Sequence, residues 1–213
     1  ESGEGGLGLG ATYQLGDSRL LVGMTNPINQ SSDSVIGLRK SLIASLEYGN
    51  PADSAITFMA GVTQDKDSLL GSTGDSAYSL SGSKSNTTFT AFKAQTQLGQ
   101  DLSLTGIATL ANTNMTRPDN SFINSASNVK STSVSLIANK GNVFGDDSMS
   151  LFVSQPNRVS DGSMSIRLSN LADSDGMLTY YNKDINLEPT ARQLDYGLSY
   201  RKDLDKDISF SIK

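Results

Sequence analysis

Few residues in this sequence have the type and spacing that chemistry requires. "ADSDGML" (172–178) opens like a calcium loop with Asp-x-Asp-Gly. The closing Glu of the 12-residue pattern is missing, so a plain turn is expected there. Asp65-Lys66-Asp67 and Gly145-Asp146-Asp147 each bring two carboxylates together. Acid–base work needs a partner acid at a set distance, and neither pair has one in view, so both read as solvated loops. "GLGLG" (6–10) lacks the helical pattern that must follow a dinucleotide fingerprint, and its glycines alternate as strand positions do. "NQS" (29–31) and "NTT" (86–88) match a short glycosylation pattern that carries no weight here. Histidine and cysteine are both absent. A Ser-His-Asp triad, a histidine- or thiolate-ligated metal and a disulfide framework therefore cannot be built within this chain. We assign it no catalytic residue, no metal ligand and no cofactor, and read it as not an enzyme.

The elements that could position any such group are strands. Leu7, Leu9, Ala11, Tyr13 and Leu15 alternate with Gly8, Gly10, Thr12, Gln14 and Gly16, and a second strand (18–25) follows the "LGDS" turn. Similar stretches fall at 41–49, 54–65, 87–99, 102–114, 131–141, 147–155, 162–169, 176–187, 192–204 and 208–213. About twelve strands joined alternately by short turns and longer loops predict an all-β, antiparallel up-and-down meander. Residues 71–87 and 116–130 read as long loops, and 1–213 as a single domain. One segment fits two patterns. Apolar residues at 35, 38, 42 and 46 make a helical stripe, whereas Leu42, Ala44, Leu46 and Tyr48 alternate as a strand from 41 onward. We read the strand.

The polar faces of these strands are unusual. "SMSLFVSQPNRVSDGSMSIRLSN" (148–170) sets Met149, Leu151 and Val153, then Met164, Ile166 and Leu168, against a face of serines. The 17 basic and 22 acidic residues fall mostly in turns and loops, among them Asp17, Arg19, Asp65, Lys84 and Asp147. Lys93, Arg167 and Asp195 are exceptions. Two settings suit hydrocarbon opposite small hydroxyls. One is a closed outer-membrane barrel with a narrow polar lumen. The other is a soluble extracellular β-module for adhesion, polymer binding or self-assembly. Strands of nine to thirteen residues exceed the ~5–6 usual in globular sheets and favour the barrel. No stretch approaches the ~20 apolar residues of a membrane helix, which a barrel does not need. Seven Phe, seven Tyr and no Trp make thin interfacial belts. Tyr13, Tyr48, Phe89, Phe92, Tyr180, Tyr181, Tyr196, Tyr200 and Phe210 are the candidates, with ordinary packing as the alternative. A net charge of −5 without a basic stripe argues against nucleic acid as a partner. Pro156 cannot sit inside a paired central strand, so it marks a bulge, an edge or the sheet's rim, with Arg158 at that rim or in a plain loop.

Three segments also carry a family likeness. They are "GVTQDKDSLLGSTGDSAYSLSGSKSNTTFTAF" (61–92), "LFVSQPNRVSDGSMSIRL" (151–168) and "INLEPTARQLDYGLSYR" (185–201). In that order, covering most of 61–201, they resemble the C-terminal, autotransporter-like region of secreted subtilisin-like (S8 family) serine peptidases of Gram-negative bacteria. Residues 1–60 share only the strand–turn rhythm. The resemblance implies a translocator or anchoring barrel of about twelve strands in outer-membrane lipid or at the cell surface, with a subtilase-like passenger on its N-terminal side. The passenger would hold the catalytic Asp, His and Ser. The start at Glu1 reads as a piece processed or excised from a longer precursor. One feature departs from the pattern. Outer-membrane barrels usually end on an aromatic residue, most often Phe, and this chain stops at Ile212-Lys213. Either a final hairpin is missing or this piece is inserted by another route. The leading expectation is thus a non-catalytic anchor whose apolar stripe (Leu7, Leu9, Leu102, Leu104, Met149, Leu151, Leu198) meets lipid. A secreted extracellular module is the alternative.

Overall fold

Alternation of apolar and small polar residues, interrupted by turn residues, makes hairpins. Leu15 and Ser18 pair across a two-residue turn whose first member, Gly16, has φ 59°, the left-handed entry such a turn needs. The computed structural model describes residues 6–27, 39–70, 72, 74, 76–145, 147–170, 175–205 and 208–212. They contain β1 (Gly6–Leu15), β2 (Ser18–Pro27), β3 (Arg39–Asn50), β4 (Ser54–Lys66), β5 (Lys84–Gln97) and β6 (Leu102–Met115). After these come β7 (Ile123–Gly141), β8 (Asp147–Ser169), β9 (Tyr180–Asn186), β10 (Asp195–Asp205) and β11 (Ile208–Ile212). A single 3-10 turn, Ser76–Tyr78, lies between β4 and β5. All strands join one antiparallel sheet in the order β1 to β8, then β10 and β11, with β9 also on β8. The meander is as expected from the alternation. Among the described residues β1 pairs only with β2 and β11 only with β10, so these are the sheet's two free end strands, and the outer side of β9, which pairs only with β8, is unpaired as well.

Eleven strands lie among the described residues. "SMSLFVSQ" and "GSMSIRLS" belong to the single 23-residue strand β8. Pro156 is accommodated in two ways. On the β7 side Gln155 opposes Val134 and Arg158 opposes Thr132, so β8 advances three residues for two and bulges. On the other side β10 pairs with 147–154 and β9 with 163–169, leaving 155–162 without a strand partner. The missing proline N–H is therefore not required. The expected loop at 116–130 is shorter than read, because β7 begins at Ile123. Left-handed Asn128 (φ 51°) sits in a register shift that hides the alternation. Similarly β5 begins at Lys84 inside the loop read at 71–87. Residues 39–50 form a strand paired on both sides, β2 and β4; the helical alternative over 31–38 lies outside the described residues. Arg19, Asp65, Lys84 and Asp147, read as turn or loop charges, lie within strands.

No second layer covers the sheet among the described residues. The one buried apolar cluster is Leu80, Met115, Ile123, Ala126, Val129 and Ile166, flanked by Leu69, Leu70, Val159, Met164, Leu168 and Leu187. It forms at one end, where β7, β8 and β9 outrun their neighbours and Leu69, Leu70 and Leu80, from the described part of the connection between β4 and β5, pack against them. Asp67 N donates to Ser83 O (3.0 Å), Asp119 N to Ser81 O (2.7 Å) and Phe122 N to Ala77 O (2.8 Å), fastening that cap. A folded monomer of 22.5 kDa should expose about 9,500 Å² by surface scaling, whereas this chain exposes 14424 Å². Most of its hydrocarbon is therefore unburied within the chain.

Candidate functional site

Cross-strand partners share a face, so the register sorts every side chain. One face carries Tyr13, Leu20, Leu46, Phe58, Phe92, Ala108 and Val134 in a single ladder row, and beside it Leu15, Tyr48, Ile56, Ala94, Gly106, Leu136, Val153 and Tyr196. This face is open: Leu9 is 67 % exposed, Phe58 53 % and Leu151 51 %. The opposite face is small and polar, and it is the shielded one: Thr57 is 9 % exposed and Thr113 0 %. A flat single-layer sheet would expose both faces alike. The asymmetry means that the sheet curls, with hydroxyls on the concave side and hydrocarbon on the convex side.

The apolar band does not follow the ladder rows. On β2 it is centred on Val22, between Leu20 and Met24. The row through Val22 runs Ala44, Ala60, Thr90, Leu110, Thr132 and Arg158. On β8 the band is centred on Leu151, between Met149 and Val153, seven residues from Arg158 in that row. One of those seven is the bulge insertion. Intermediate strands drift in the same sense; on β7 the centre is Leu136, four residues from Thr132. Six residues are about 20 Å along a strand, and six strand steps are about 29 Å across the sheet, an inclination of roughly 35°. The row Leu9, Met24, Leu42 and Val62 accordingly turns polar as Thr88, Asn112, Lys130 and Asp161.

Most of the expected stripe lies in this band. Leu7, Leu9, Leu151 and Leu198 are exposed, while Leu102, Leu104 and Met149 are half-buried. Met164, Ile166 and Leu168 are a correction: they point to the concave side and join the cluster under the cap. Eleven residues, an odd interval, separate Val153 from Met164, and two extra residues on β8 cancel each other's change of face. Of the proposed belt residues, Tyr48 and Tyr196 sit at the band's margins. Phe89 instead faces inward over Gly61, and Tyr200 O–H donates to Asp147 Oδ2 (2.8 Å). The side chain of Phe210 lies outside the described residues.

On the concave face one row links Gln14, Arg19, Glu47, Thr57, Lys93, Ile107, Ser135, Ser154 and Asp195. Two of the sequence exceptions, Lys93 and Asp195, fall in it. Arg19 Nη2 pairs with Glu47 Oε1 at 2.8 Å, and Thr57 Oγ1 donates to Glu47 Oε2 at 3.4 Å. Hydroxyls bond across strands at Thr87–Thr113 (2.8 Å) and Ser150 donates to Asn139 (2.6 Å). Pairing of this kind offsets the cost of withdrawing polar groups from bulk water, although Ser131 Oγ on the same face is buried without a hydrogen-bond partner.

Arg158 is neither a free loop residue nor idle. It is in β8, half-buried, and Nη2 donates to Pro189 O (2.9 Å) and meets Glu188 Oε1 (3.5 Å). It thereby ties the 187–194 segment over the unpaired stretch of β8. At the 141–147 hairpin, beyond the band, burial pushes the Asp147 carboxyl up, but donation from Phe144 N and Tyr200 O–H and the nearby Lys202 outweigh it and hold the group below its ordinary value. Among the sequence candidates for chemistry, Asp146 and residues 171–174 lie outside the described residues, and the described residues contain no acidic cluster able to hold a metal. No helix among the described residues is long and apolar enough to cross a membrane. The Arg19–Glu47 pairing went unread because it depends on the β2–β3 register. No family model, curated protein or solved structure matches the chain.

Proposed function

We propose that this sheet is the wall of an outer-membrane-type β-barrel that anchors or translocates an attached passenger, as the resemblance to subtilase C-terminal regions implies. The observation that carries the reading is the oblique convex band. A level hydrocarbon slab crossing strands inclined at roughly 35–45° would produce that drift. Lipid covers the band in this reading, and the concave hydroxyl face lines a narrow lumen whose charges are partly paired. Closure would bring the two free edges together, since unpaired strand groups in hydrocarbon cost several kcal/mol each.

Membrane partition tests it. The chain should sediment with vesicles, need detergent after extraction and migrate faster unheated than heated. Nitroxides at Leu46, Phe58 and Leu151 should contact lipid-dissolved oxygen, and those at Thr57 and Thr109 should not. Purification as a monodisperse species without detergent would sink the proposal. The free edges of the sheet favour a second reading, an extracellular module whose convex face is covered by a further copy; that outcome would then appear as a detergent-free oligomer.

A further inference from the structure

Beyond the band, on the capped end, four segments line a cleft of about 330 Å³, among them the stretches that carry Arg117, Asn120, Ser121, Phe122, Arg167 and Tyr180. Its walls are held firmly. Arg167 N donates to Phe122 O (2.6 Å), Phe122 N to Ala77 O (2.8 Å) and Ser121 Oγ to Ala77 O (3.3 Å). Tyr78 meets the Phe122 ring edge-on at 6.4 Å. The Arg167 guanidinium carbon lies 4.1 Å from the Tyr180 ring centroid, a cation–π contact that holds the group at the cleft. No carboxylate lines the cleft, and neither arginine has a carboxylate partner among the described residues. A chain of net charge −5 thus gathers in one cleft two guanidinium groups that have no carboxylate partner among the described residues.

We propose that this cleft binds a phosphorylated sugar. Two guanidinium forks suit a dianionic phosphate, which accepts paired N–H bonds from each. The exposed ring of Phe122 suits the C–H face of a pyranose, and Asn120 and Ser121 offer polar partners for its hydroxyls. A volume near the lower end of small-ligand clefts fits a group of that size. The same chemistry is presented by a free sugar phosphate and by the headgroup of a phosphorylated glycolipid. The proposal does not depend on the membrane reading.

Calorimetric titration of the full chain tests it, with glucosamine 1-phosphate, inorganic phosphate and glucosamine as soluble probes. Vesicles bearing a phosphorylated glucosamine lipid serve as the lipid-borne probe. Glucosamine 1-phosphate, or the lipid that carries it, should bind more tightly than inorganic phosphate or the neutral sugar. Arg117→Gln and Arg167→Gln should each weaken binding about tenfold, while Arg19→Gln, at the other end of the sheet, leaves it unchanged. Saturation only by the soluble probe identifies a free ligand, and saturation only by the vesicles a lipid headgroup; both support the site. Absence of saturable binding to either up to about 10 mM, or binding unaltered in the folded double-arginine variant, overturns it.

Discussion

Gly61 shows how closely the concave face is built. A Cβ placed there would lie 2.7 Å from Leu42 O and from the edge of the Phe89 ring, which is its cross-strand partner. Phe152 covers Gly197 in the same manner on β8 and β10. An aromatic ring laid over a cross-strand glycine pins register and lets the sheet bend. Gly61→Val should therefore destabilise by about 1–3 kcal/mol, the usual cost of forcing extra carbon into filled space. Gly106 is the control: on the convex face, an added Cβ meets only Leu136 Cδ1 at 3.9 Å, so Gly106→Ala should be near neutral. Denaturant midpoints of the two variants decide between them; an unmoved Gly61→Val midpoint would mean that the concave side is open. The glycine alternation of 6–10 was legible as strand rather than nucleotide loop. The pairing of Gly61 with Phe89 was not, since it joins positions 28 apart through a register that only the β4–β5 ladder fixes.

At the scale of elements, period two and turn residues placed most strands within a few positions, because a half-exposed sheet writes its pleat directly into the sequence. β8 shows the limit. Gln155-Pro156-Asn157 reads as a break, but a bulge on one side and a gap between β10 and β9 on the other let the strand continue. Both devices belong to the neighbours' pairing and leave no local mark. The same continuity gives β8 two environments, a convex half around Leu151 and a capped half around Ile166. Leu151→Arg should hinder folding into vesicles by about 2–4 kcal/mol, the cost of a guanidinium at the bilayer midplane. Ser135→Asn, on the concave row, should leave that folding within ~0.5 kcal/mol of wild type. The fraction of heat-shifted band on a gel measures both; equal effects at the two sites would remove the distinction between lipid face and lumen. The Arg117–Arg167 cleft escaped sequence reading for a related reason. Its arginines are 50 positions apart and meet only because the 116–122 loop folds against the end of β8.

For the whole molecule, the surface area and the inclined band bear on one question, whether the wall closes. In a chain that exposes 14424 Å², a sheet that crossed a hydrocarbon slab obliquely, as proposed, would still have raw edges at β1 and β11. In water such an edge is tolerated; in lipid each unpaired amide has no alternative donor or acceptor. The β1 amides that do not bond to β2 are the reporters. If the sheet closes in the membrane, these amides, in residues 7–15, should exchange hydrogen as slowly as those of β5, which is paired on both sides. In detergent-free solution the same amides should exchange at rates near those of an unstructured chain. Rapid exchange at β1 in vesicles, alongside slow exchange at β5, would mean that the sheet stays open in lipid, and the anchor would then have to be completed by strands from another copy. The measurement therefore separates a self-closed wall from a shared one, and it does so at the residues where a two-faced meander with free ends must resolve its unpaired edge.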